Sequence, residues 1–223
     1  MMKYITKTDL YIVSRYSGVV MICVGLMCLF PLLIDFEFNY ACFIIPGVFS
    51  VILGYICMKA LDKYSNSKMR LKHGMMISSI AWMWASVIGG VVISLATGTD
   101  FLNGIFESTS ALTGTGITMF DNVEILPHSI LYFRAFEQWV GGLGVVVMMI
   151  GILTRPGTAS AKLYQSEARE ERLKPSVKTT LKKTIEIYLI YTIIGIILYL
   201  LAGMPAFDSV CTTFCMIATG GMS

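Results

Sequence analysis

Two stretches rich in glycine and threonine are the places where this chain has residues suited to chemistry. The first, ALTGTGIT, covers residues 111–118, and the second, MIATGGMS, covers residues 216–223. Such residues form poor helices and poor isolated strands, so their backbone carbonyl oxygens remain for other partners. Glycine also tolerates unusual dihedral angles, and rings of carbonyl oxygens can replace the water shell of a cation. The chemistry that these stretches permit is contact between free backbone carbonyls and a partner other than lipid. Turns rich in glycine and threonine are common, so the stretch TGTGIT alone is a weak sign of a filter.

The composition indicates that this chemistry takes place in a membrane protein. Of the 223 residues, 56% are hydrophobic and only 14% are charged, whereas about a quarter of the residues of a soluble domain are charged. The net charge is +3, without a block of lysine and arginine, which argues against a nucleic-acid partner. We expect membrane lipid to be a partner instead.

Five stretches are long and apolar enough to cross a bilayer as helices, which takes about 20 residues each. They are residues 11–34, 41–61, 76–97, 129–153 and 184–203. Lysine and arginine favour the cytoplasmic side of a membrane. If the N-terminus is cytoplasmic, 16 of the 17 basic residues lie on that side and Arg134 is the exception. This distribution predicts a multi-pass protein with its N-terminus inside and with residues 98–128 facing outward. His73 and His128 then lie at opposite interfaces, as ordinary interfacial residues.

The segment 98–128 has to begin and end outside the membrane. Residues 101–112 have the apolar spacing of a helix but are too few to cross a bilayer. A half-helix that enters the membrane and returns as extended chain fits this length. Non-helical backbone at membrane depth is tolerated only where protein surrounds it or where it lines a water-filled path. The glycines and threonines after residue 112 are therefore predicted to form a re-entrant pore loop.

An internal repeat supports this interpretation. When the chain is shifted by 105 residues against itself, residues 101–112 fall on 206–217, and Gly116 falls on Gly221. The predicted fold is an all-α polytopic membrane protein of about five transmembrane helices plus re-entrant pore loops, with helix–pore loop–helix repeats as in potassium channels. The predicted organisation begins with an N-terminal helix pair and basic loop (1–75) and a first helix–pore loop–helix unit (76–153). A cytoplasmic linker (154–183) and an incomplete second unit that ends within its pore loop (184–223) follow.

These features resemble the Trk/Ktr/HKT superfamily of potassium transporters, most closely its TrkH-type membrane subunit. The resemblance rests on four stretches and extends over essentially the whole chain. They are FESTSALTGTGIT (106–118), RAFEQWVGGLGVVV (134–147), YQSEA (164–168) and ATGGMS (218–223). In that family four such units surround one pore, and each unit contributes a filter loop with a central glycine. Gly116 and Gly221 match these central glycines, and Gly114 stands where the family's first loop often has threonine.

The resemblance implies potassium uptake across the plasma membrane by channel-like permeation, with no bound cofactor and K⁺ as the transported ion. Potassium is the only metal expected, at a filter of backbone carbonyls. The implied filter residues are Gly114, Thr115, Gly116, Ile117, Thr219, Gly220, Gly221 and Met222. The implied partners are the remaining pore units of the full-length transporter, a second copy in a homodimer, and a cytoplasmic nucleotide-binding regulatory subunit of the TrkA/KtrA type. The sequence does not distinguish passive permeation from symport with protons or sodium.

Two charged residues are candidates for supporting the first pore loop. Arg134 either extends to the headgroups and pairs with Glu137 one turn on, or braces the loop carbonyls or Glu107. We expect it to have a partnered structural role, with Glu107 as a brace rather than an ion ligand. No constellation of His, Asp, Glu, Ser or Lys within the predicted helices suits an enzyme. The alternative function is that of a non-conducting fragment or assembly partner, since this chain supplies at most two of four filter loops.

Overall fold

The computed structural model describes residues 6–34, 40–64, 70–153 and 177–222, and all regular structure within these ranges is helical. The helices are α1 (Lys7–Met27), α2 (Ala41–Ala60), α3 (Leu71–Thr97), α4 (Phe101–Thr113), α5 (His128–Leu153), α6 (Val177–Leu201) and α7 (Ala206–Ile217). Short 3₁₀ helices lie at Phe30–Leu33 and Asp62–Tyr64. The predicted all-helical fold class is confirmed.

Four segments of the described residues are long and apolar enough to cross a membrane. They are Lys7–Leu33, Ala41–Ala60, Lys72–Thr97 and Thr179–Leu201, and they correspond to four of the five predicted spans. The fifth predicted span coincides with α5, whose 26 residues reach about 39 Å at 1.5 Å per residue. Helices α4 and α7 have 13 and 12 residues and match in extent the half-helices predicted at 101–112 and 206–217.

The predicted linker at 154–183 is mostly outside the described residues, which resume at residue 177. Helix α6 already begins at Val177, seven residues before the predicted start of the span at 184. The residues in between read VKTTLKK, in which lysine and leucine are good helix formers. An apolar span can therefore continue as a helix into a charged segment, which the hydropathy pattern alone does not reveal.

The chain divides into two compact units, Met1–Leu112 with Gly116–Arg134, and Thr113–Thr115 with Ala135–Ser223. In the first unit, α1 and α2 approach each other through glycines. A Cβ added at Gly18 would lie 2.6 Å from the carbonyl oxygen of Gly54, and one added at Gly25 would lie 2.5 Å from that of Gly47. From the first pair to the second, the residue number rises along α1 and falls along α2. The two helices are therefore antiparallel neighbours, and their backbones are in contact at the glycines.

Polar side chains connect α3 to this helix pair. The Ser50 hydroxyl donates to the carbonyl oxygen of Met21 at 2.7 Å and accepts a hydrogen bond from Trp84 Nε1 at 2.8 Å. Ser50 is fully buried, and these bonds satisfy its hydroxyl without water. One serine of α2 therefore holds α1 and α3 on either side of itself.

His73 is buried in the first unit rather than being an ordinary interfacial residue. Its Nδ1 accepts a hydrogen bond from the backbone N–H of Arg70 at 3.3 Å, and its Nε2 lies 2.7 Å from Asp9 Oδ1. Because Nδ1 is the acceptor, the hydrogen of the imidazole ring is on Nε2, and the Nε2–H group donates a hydrogen bond to Asp9 Oδ1. Asp9 also pairs with Lys72 and caps α1 together with Thr6. This cluster fastens the start of α1 to the start of α3.

The short helix α4 lies directly against α3. A Cβ at Gly104 would lie 2.5 Å from the carbonyl oxygen of Gly90, and a Cβ at Gly90 would lie 2.7 Å from the Cα of Ile105. The two helices thus meet at a glycine pair, where no side chain separates their backbones. This contact holds the half-helix in place along its first turns.

In the second unit, Trp139 of α5 is central to the packing of α6 and α7. Its Nε1 donates to Thr192 Oγ1 at 3.0 Å, and its carbonyl oxygen accepts from the Tyr188 hydroxyl at 2.9 Å. Its ring lies 5.3 Å from that of Phe214 in α7, measured between centroids. A Cβ at Gly195 of α6 would lie 2.8 Å from Thr213 Cγ2 of α7. The half-helix α7 is therefore held between α5 and α6.

The glycine contact between α1 and α2 leads to a stability prediction. Gly54→Ala should lower the stability of the protein by about 1–3 kcal/mol, because the added Cβ would lie 2.5 Å from the Gly18 carbonyl oxygen. The measurement is the melting temperature of the purified protein in detergent. Gly74→Ala is the matched control, since a Cβ there meets nothing within 4 Å. Equal melting temperatures for the two variants would contradict the close contact.

Candidate functional site: two loops that follow half-helices

Each half-helix ends in a loop whose backbone alternates between left-handed and ordinary dihedral angles. After α4, Gly114 has φ 70° and Gly116 has φ 75°, with Thr115 outside the left-handed region. We call residues 114–117 the first loop and residues 219–222 the second loop. Regular helices and strands have negative φ throughout, so residues in the left-handed region take the loop out of both. The first loop therefore belongs to neither a helix nor a regular strand.

The second loop has the same alternation at the positions that the repeat predicts. Thr219 has φ 57° and Gly221 has φ 76°, and Gly220 between them is not left-handed. A shift of 105 residues places Gly114 on Thr219 and Gly116 on Gly221. The two loops therefore share a conformation although few of their residues are identical, which strengthens the case for an internal repeat.

Thr219 is a strained residue. A left-handed backbone is uncommon for residues other than glycine and is a true outlier for a β-branched side chain, with a cost of about 1–3 kcal/mol. Its hydroxyl donates to the carbonyl oxygen of Ala218 at 2.7 Å. Thr219 is the one left-handed residue other than glycine within the described part of the chain. Such strain persists only where the surrounding structure determines it and is typical of functional sites.

A buried ion pair stands behind the first loop. Arg134 Nη2 lies 2.6 Å from Glu107 Oε1, and both side chains are at most 1% exposed. Of the partners that the sequence left open for Arg134, namely headgroups, Glu137, the loop carbonyls and Glu107, the structure places Glu107 in contact with it. A buried charge is tolerated only when it is paired and hydrogen-bonded, so this pair fixes the distance between α4 and the start of α5.

The same pair holds the chain that leaves the loop. Thr118 Oγ1 donates to Glu107 Oε1 at 2.8 Å and accepts from Arg134 Nη2 at 3.2 Å. The backbone N–H of Met119 donates to Glu107 Oε2 at 2.9 Å. The guanidinium of Arg134 also lies over the ring of Phe120, 5.8 Å from its centroid. Glu107 and Arg134 therefore contact the three residues directly after the first loop, residues 118–120, through hydrogen bonds and a cation–π contact.

Ser110 contacts the first loop but was not among the candidate residues of the sequence analysis. Its hydroxyl donates to the carbonyl oxygen of Ile117 at 2.6 Å. Ile117 was an expected filter residue, but its carbonyl is directed towards α4 by this bond. The sequence analysis also did not single out Thr118, which bonds to Glu107, or Gln138, which is fully buried on α5. A signal for Gln138 is an uncharged polar side chain within the apolar stretch predicted at 129–153.

The electrostatics at both loops favour a cation. Each loop begins where a half-helix ends, at Thr113 for α4 and at Ile217 for α7. The C-terminal end of a helix carries a partial negative charge, from carbonyls that lack partners in the helix. Among the described residues, no group of three His, Cys, Asp or Glu side chains is placed to hold a metal ion. The oxygens available to a cation at the loops are therefore those of the backbone and of the threonine hydroxyls.

Comparison with protein families identifies relatives of the chain. Residues 43–223 match the family described as TrkH, a cation transport protein. An uncharacterized cation transporter of Methanocaldococcus jannaschii is 40% identical over 223 residues, which cover 98% of this chain and 46% of that protein. The Trk system potassium uptake protein TrkH of Halomonas elongata is 30% identical over 225 residues, which cover 96% of this chain and 46% of that protein. The chain thus spans about half the length of these relatives.

The fold is also similar to a solved structure. The crystal structure of the potassium transporter TrkH from Vibrio parahaemolyticus superposes with a TM-score of 0.76 at 25% sequence identity. The similarity covers 92% of this chain and 42% of that one. The likeness in fold therefore extends over nearly all of the residues present here.

The buried ion pair leads to a second prediction. Glu107→Ala should destabilise the protein by about 3–5 kcal/mol, because it leaves the Arg134 charge buried without a partner. The double variant Glu107→Ala, Arg134→Met should be more stable than Glu107→Ala alone. Melting temperatures in detergent and the amount of protein in the membrane measure both effects.

The control is the exposed pair of Arg15 and Asp62, which lie 3.1 Å apart with the Asp62 side chain 72% exposed. Asp62→Ala should change stability little, since exposed pairs contribute little. If Arg134→Met gives no relief in the Glu107→Ala background, the pair does not hold this region together.

Proposed function

Because the chain belongs to the TrkH family of cation transport proteins, we propose that it forms part of a transporter for potassium uptake. The membership confirms the resemblance seen in the sequence, and the family is one of transporters rather than enzymes. Relatives in Halomonas elongata and Escherichia coli are named Trk system potassium uptake proteins. Potassium is thus the proposed transported ion, and the proposal includes no cofactor.

In the proposed mechanism, backbone carbonyls of the two loops replace the water shell of a potassium ion. The single observation that carries this proposal is the shared alternation of dihedral angles, left-handed at Gly114 and Gly116 and again at Thr219 and Gly221. Such alternation turns successive carbonyls away from their regular directions, as a ring of carbonyl ligands requires. The negative ends of α4 and α7 add to the attraction for a cation.

The proposed ligands are the residues that the sequence suggested. In the first loop they are the carbonyls of Gly114, Thr115, Gly116 and Ile117, of which the Ile117 oxygen uses one of its two lone pairs to accept the Ser110 hydroxyl. In the second loop the proposal retains the four residues 219–222. Glu107 and Arg134 act as the brace of the first loop and do not touch the ion.

A closed ring needs oxygens on all sides of the ion, and the relatives are about twice as long as the part matched here. We therefore propose that further pore units of a transporter of that length complete the ring. Helix α6 is consistent with such neighbours. Only 6% of its most apolar 18-residue stretch is buried within this chain, whereas the value for the corresponding stretches of the other three spans is 33–39%. A second copy in a homodimer and a cytoplasmic nucleotide-binding regulatory subunit remain proposed partners on the family resemblance alone.

The proposed location is the plasma membrane, with a cytoplasmic N-terminus. The support is the distribution of basic residues, together with the four spans that the helices provide. Transport itself is proposed as permeation along the carbonyls, and whether symport accompanies it is a separate question from the filter.

The filter proposal predicts the effect of Gly116→Ser. A side chain at φ 75° is strained, so the first loop should lose its conformation and discrimination of potassium over sodium should fall by about tenfold or more, which corresponds to about 1.4 kcal/mol. Rubidium and sodium uptake into cells without other potassium-uptake systems measure this ratio. Complete loss of uptake would also agree with the proposal.

Gly98→Ser is the matched control. Gly98 has nearly the same dihedral angle, φ 71°, but terminates α3, and a Cβ there meets nothing within 4 Å. It should reproduce the backbone strain without changing the ion preference. Unchanged rubidium uptake and unchanged sodium exclusion in Gly116→Ser would rule out a filter role for Gly116.

The proposed topology predicts which side of the membrane each connection faces. Asn122 and Lys63 are both exposed. A membrane-impermeant thiol reagent should modify an Asn122→Cys variant in intact cells and a Lys63→Cys variant only after permeabilisation. The parent protein with its six native cysteines is the control for background labelling. The reverse pattern would place the loops at the cytoplasmic face.

A further inference from the structure

Gln138 on α5 is a buried polar residue whose side chain has no hydrogen bond within the described structure. It is 0% exposed, and neither Oε1 nor Nε2 has a hydrogen-bond partner among the described residues. Most buried polar side chains are hydrogen-bonded, and those that are not call for an explanation. The explanation has to come from what the amide contacts.

The amide of Gln138 contacts Gly220 of the second loop. A Cβ added at Gly220 would lie 2.4 Å from Cδ, 2.5 Å from Oε1 and 2.6 Å from Nε2 of Gln138. The site of the missing side chain is therefore occupied by the amide group itself. Gly220 is not left-handed, so its backbone conformation does not require glycine. A side chain at this position would have to displace the fully buried amide of Gln138.

This contact supplies the second loop with a support of its own. The repeat places Thr212 at the position of Glu107 and Cys215 at the position of Ser110. The carboxylate that holds the first loop is thus replaced by a hydroxyl at the repeat position, and the hydroxyl is replaced by a thiol. Within the second unit, the Gly220 N–H donates to the carbonyl oxygen of Cys215 at 2.9 Å. That bond holds one side of Gly220, and the Gln138 amide covers the side where its Cβ would be.

We propose that Gln138 is a positioning residue that sets the ion preference of the second loop. By holding Gly220, its amide keeps the flanking left-handed residues, Thr219 and Gly221, at a fixed spacing. Sodium is smaller than potassium, so carbonyls that bind it well have to move inward. The Gln138 amide lies against Gly220 and opposes the inward movement of the loop carbonyls, which favours the larger ion. This inference rests on the proposed function.

The test is a double-mutant cycle between Gln138 and Gly220 in the transporter. Gly220→Ala should lower the ratio of rubidium to sodium uptake by about tenfold or more, equivalent to about 1.4 kcal/mol, because the added methyl displaces the amide. Gln138→Ala should also lower the ratio, since the loop loses its support. The double variant should have a ratio closer to the wild type than Gly220→Ala has, because the methyl then occupies the space of the amide.

The readout separates positioning from a loss of folded protein, because a ratio of two ions does not depend on how much transporter is present. The amount in the membrane is measured alongside, and Gly74→Ala, in open space, is the control that should leave the ratio unchanged. If Gly220→Ala fails to reach the membrane, Gln138→Ala decides, and an unchanged ratio in it overturns the proposal. Additive effects in the cycle overturn it too.

The Gly116→Ser variant distinguishes failure of this inference from failure of the proposed function. If Gly116→Ser alters the ion ratio but the Gln138 and Gly220 variants do not, the filter stands and the role of Gln138 is wrong. If none of these variants alters the ratio, the proposed filter itself is wrong.

Discussion

The buried ion pair between Glu107 and Arg134 is the interaction on which the geometry of the first loop depends. Neither side chain reaches water, so each charge is acceptable only in the presence of the other. Glu107 has further lone pairs to satisfy, and it does so with Thr118 and with the N–H of Met119. The chain after the loop is therefore forced to return to α4. The end of the loop is fixed by electrostatics rather than by any property of its own glycines, which only permit the conformation.

The two loops reach the same conformation from different residues. In the first, glycine occupies both left-handed positions, so the conformation carries little strain and is held from outside by Glu107, Arg134 and Ser110. In the second, Thr219 takes one of these positions, and its strain has to be offset by the packing around it. A β-branched residue has few rotamers, and its hydroxyl is bound to the preceding carbonyl. The second loop therefore contains a strained residue of its own, whereas the first is held by side chains outside it.

Much of this fold could be predicted from the sequence, because membrane spans and half-helices are properties of short contiguous stretches. Length and hydropathy locate the spans, and a twelve-residue apolar helix between two segments that are predicted to face outward has few other interpretations. The contacts of the site could not be predicted in the same way. Ser110 bonds to a carbonyl seven residues on, and His73 is buried against Asp9, 64 residues earlier in the chain. Such partners are set by tertiary packing, and the local pattern gives no sign of them.

The different supports have a consequence for how the repeat can diverge. In the account in which a filter selects by the fit between its cavity and the ion, the stiffness of the loop matters as much as its rest position. Stiffness can come from a charge pair behind the loop, from a strained residue within it, or from a buried amide beneath it. The two units differ in the residues at these positions, with Thr212 at the repeat position of Glu107 and Thr219 at that of Gly114. The left-handed positions are nevertheless the same in both loops.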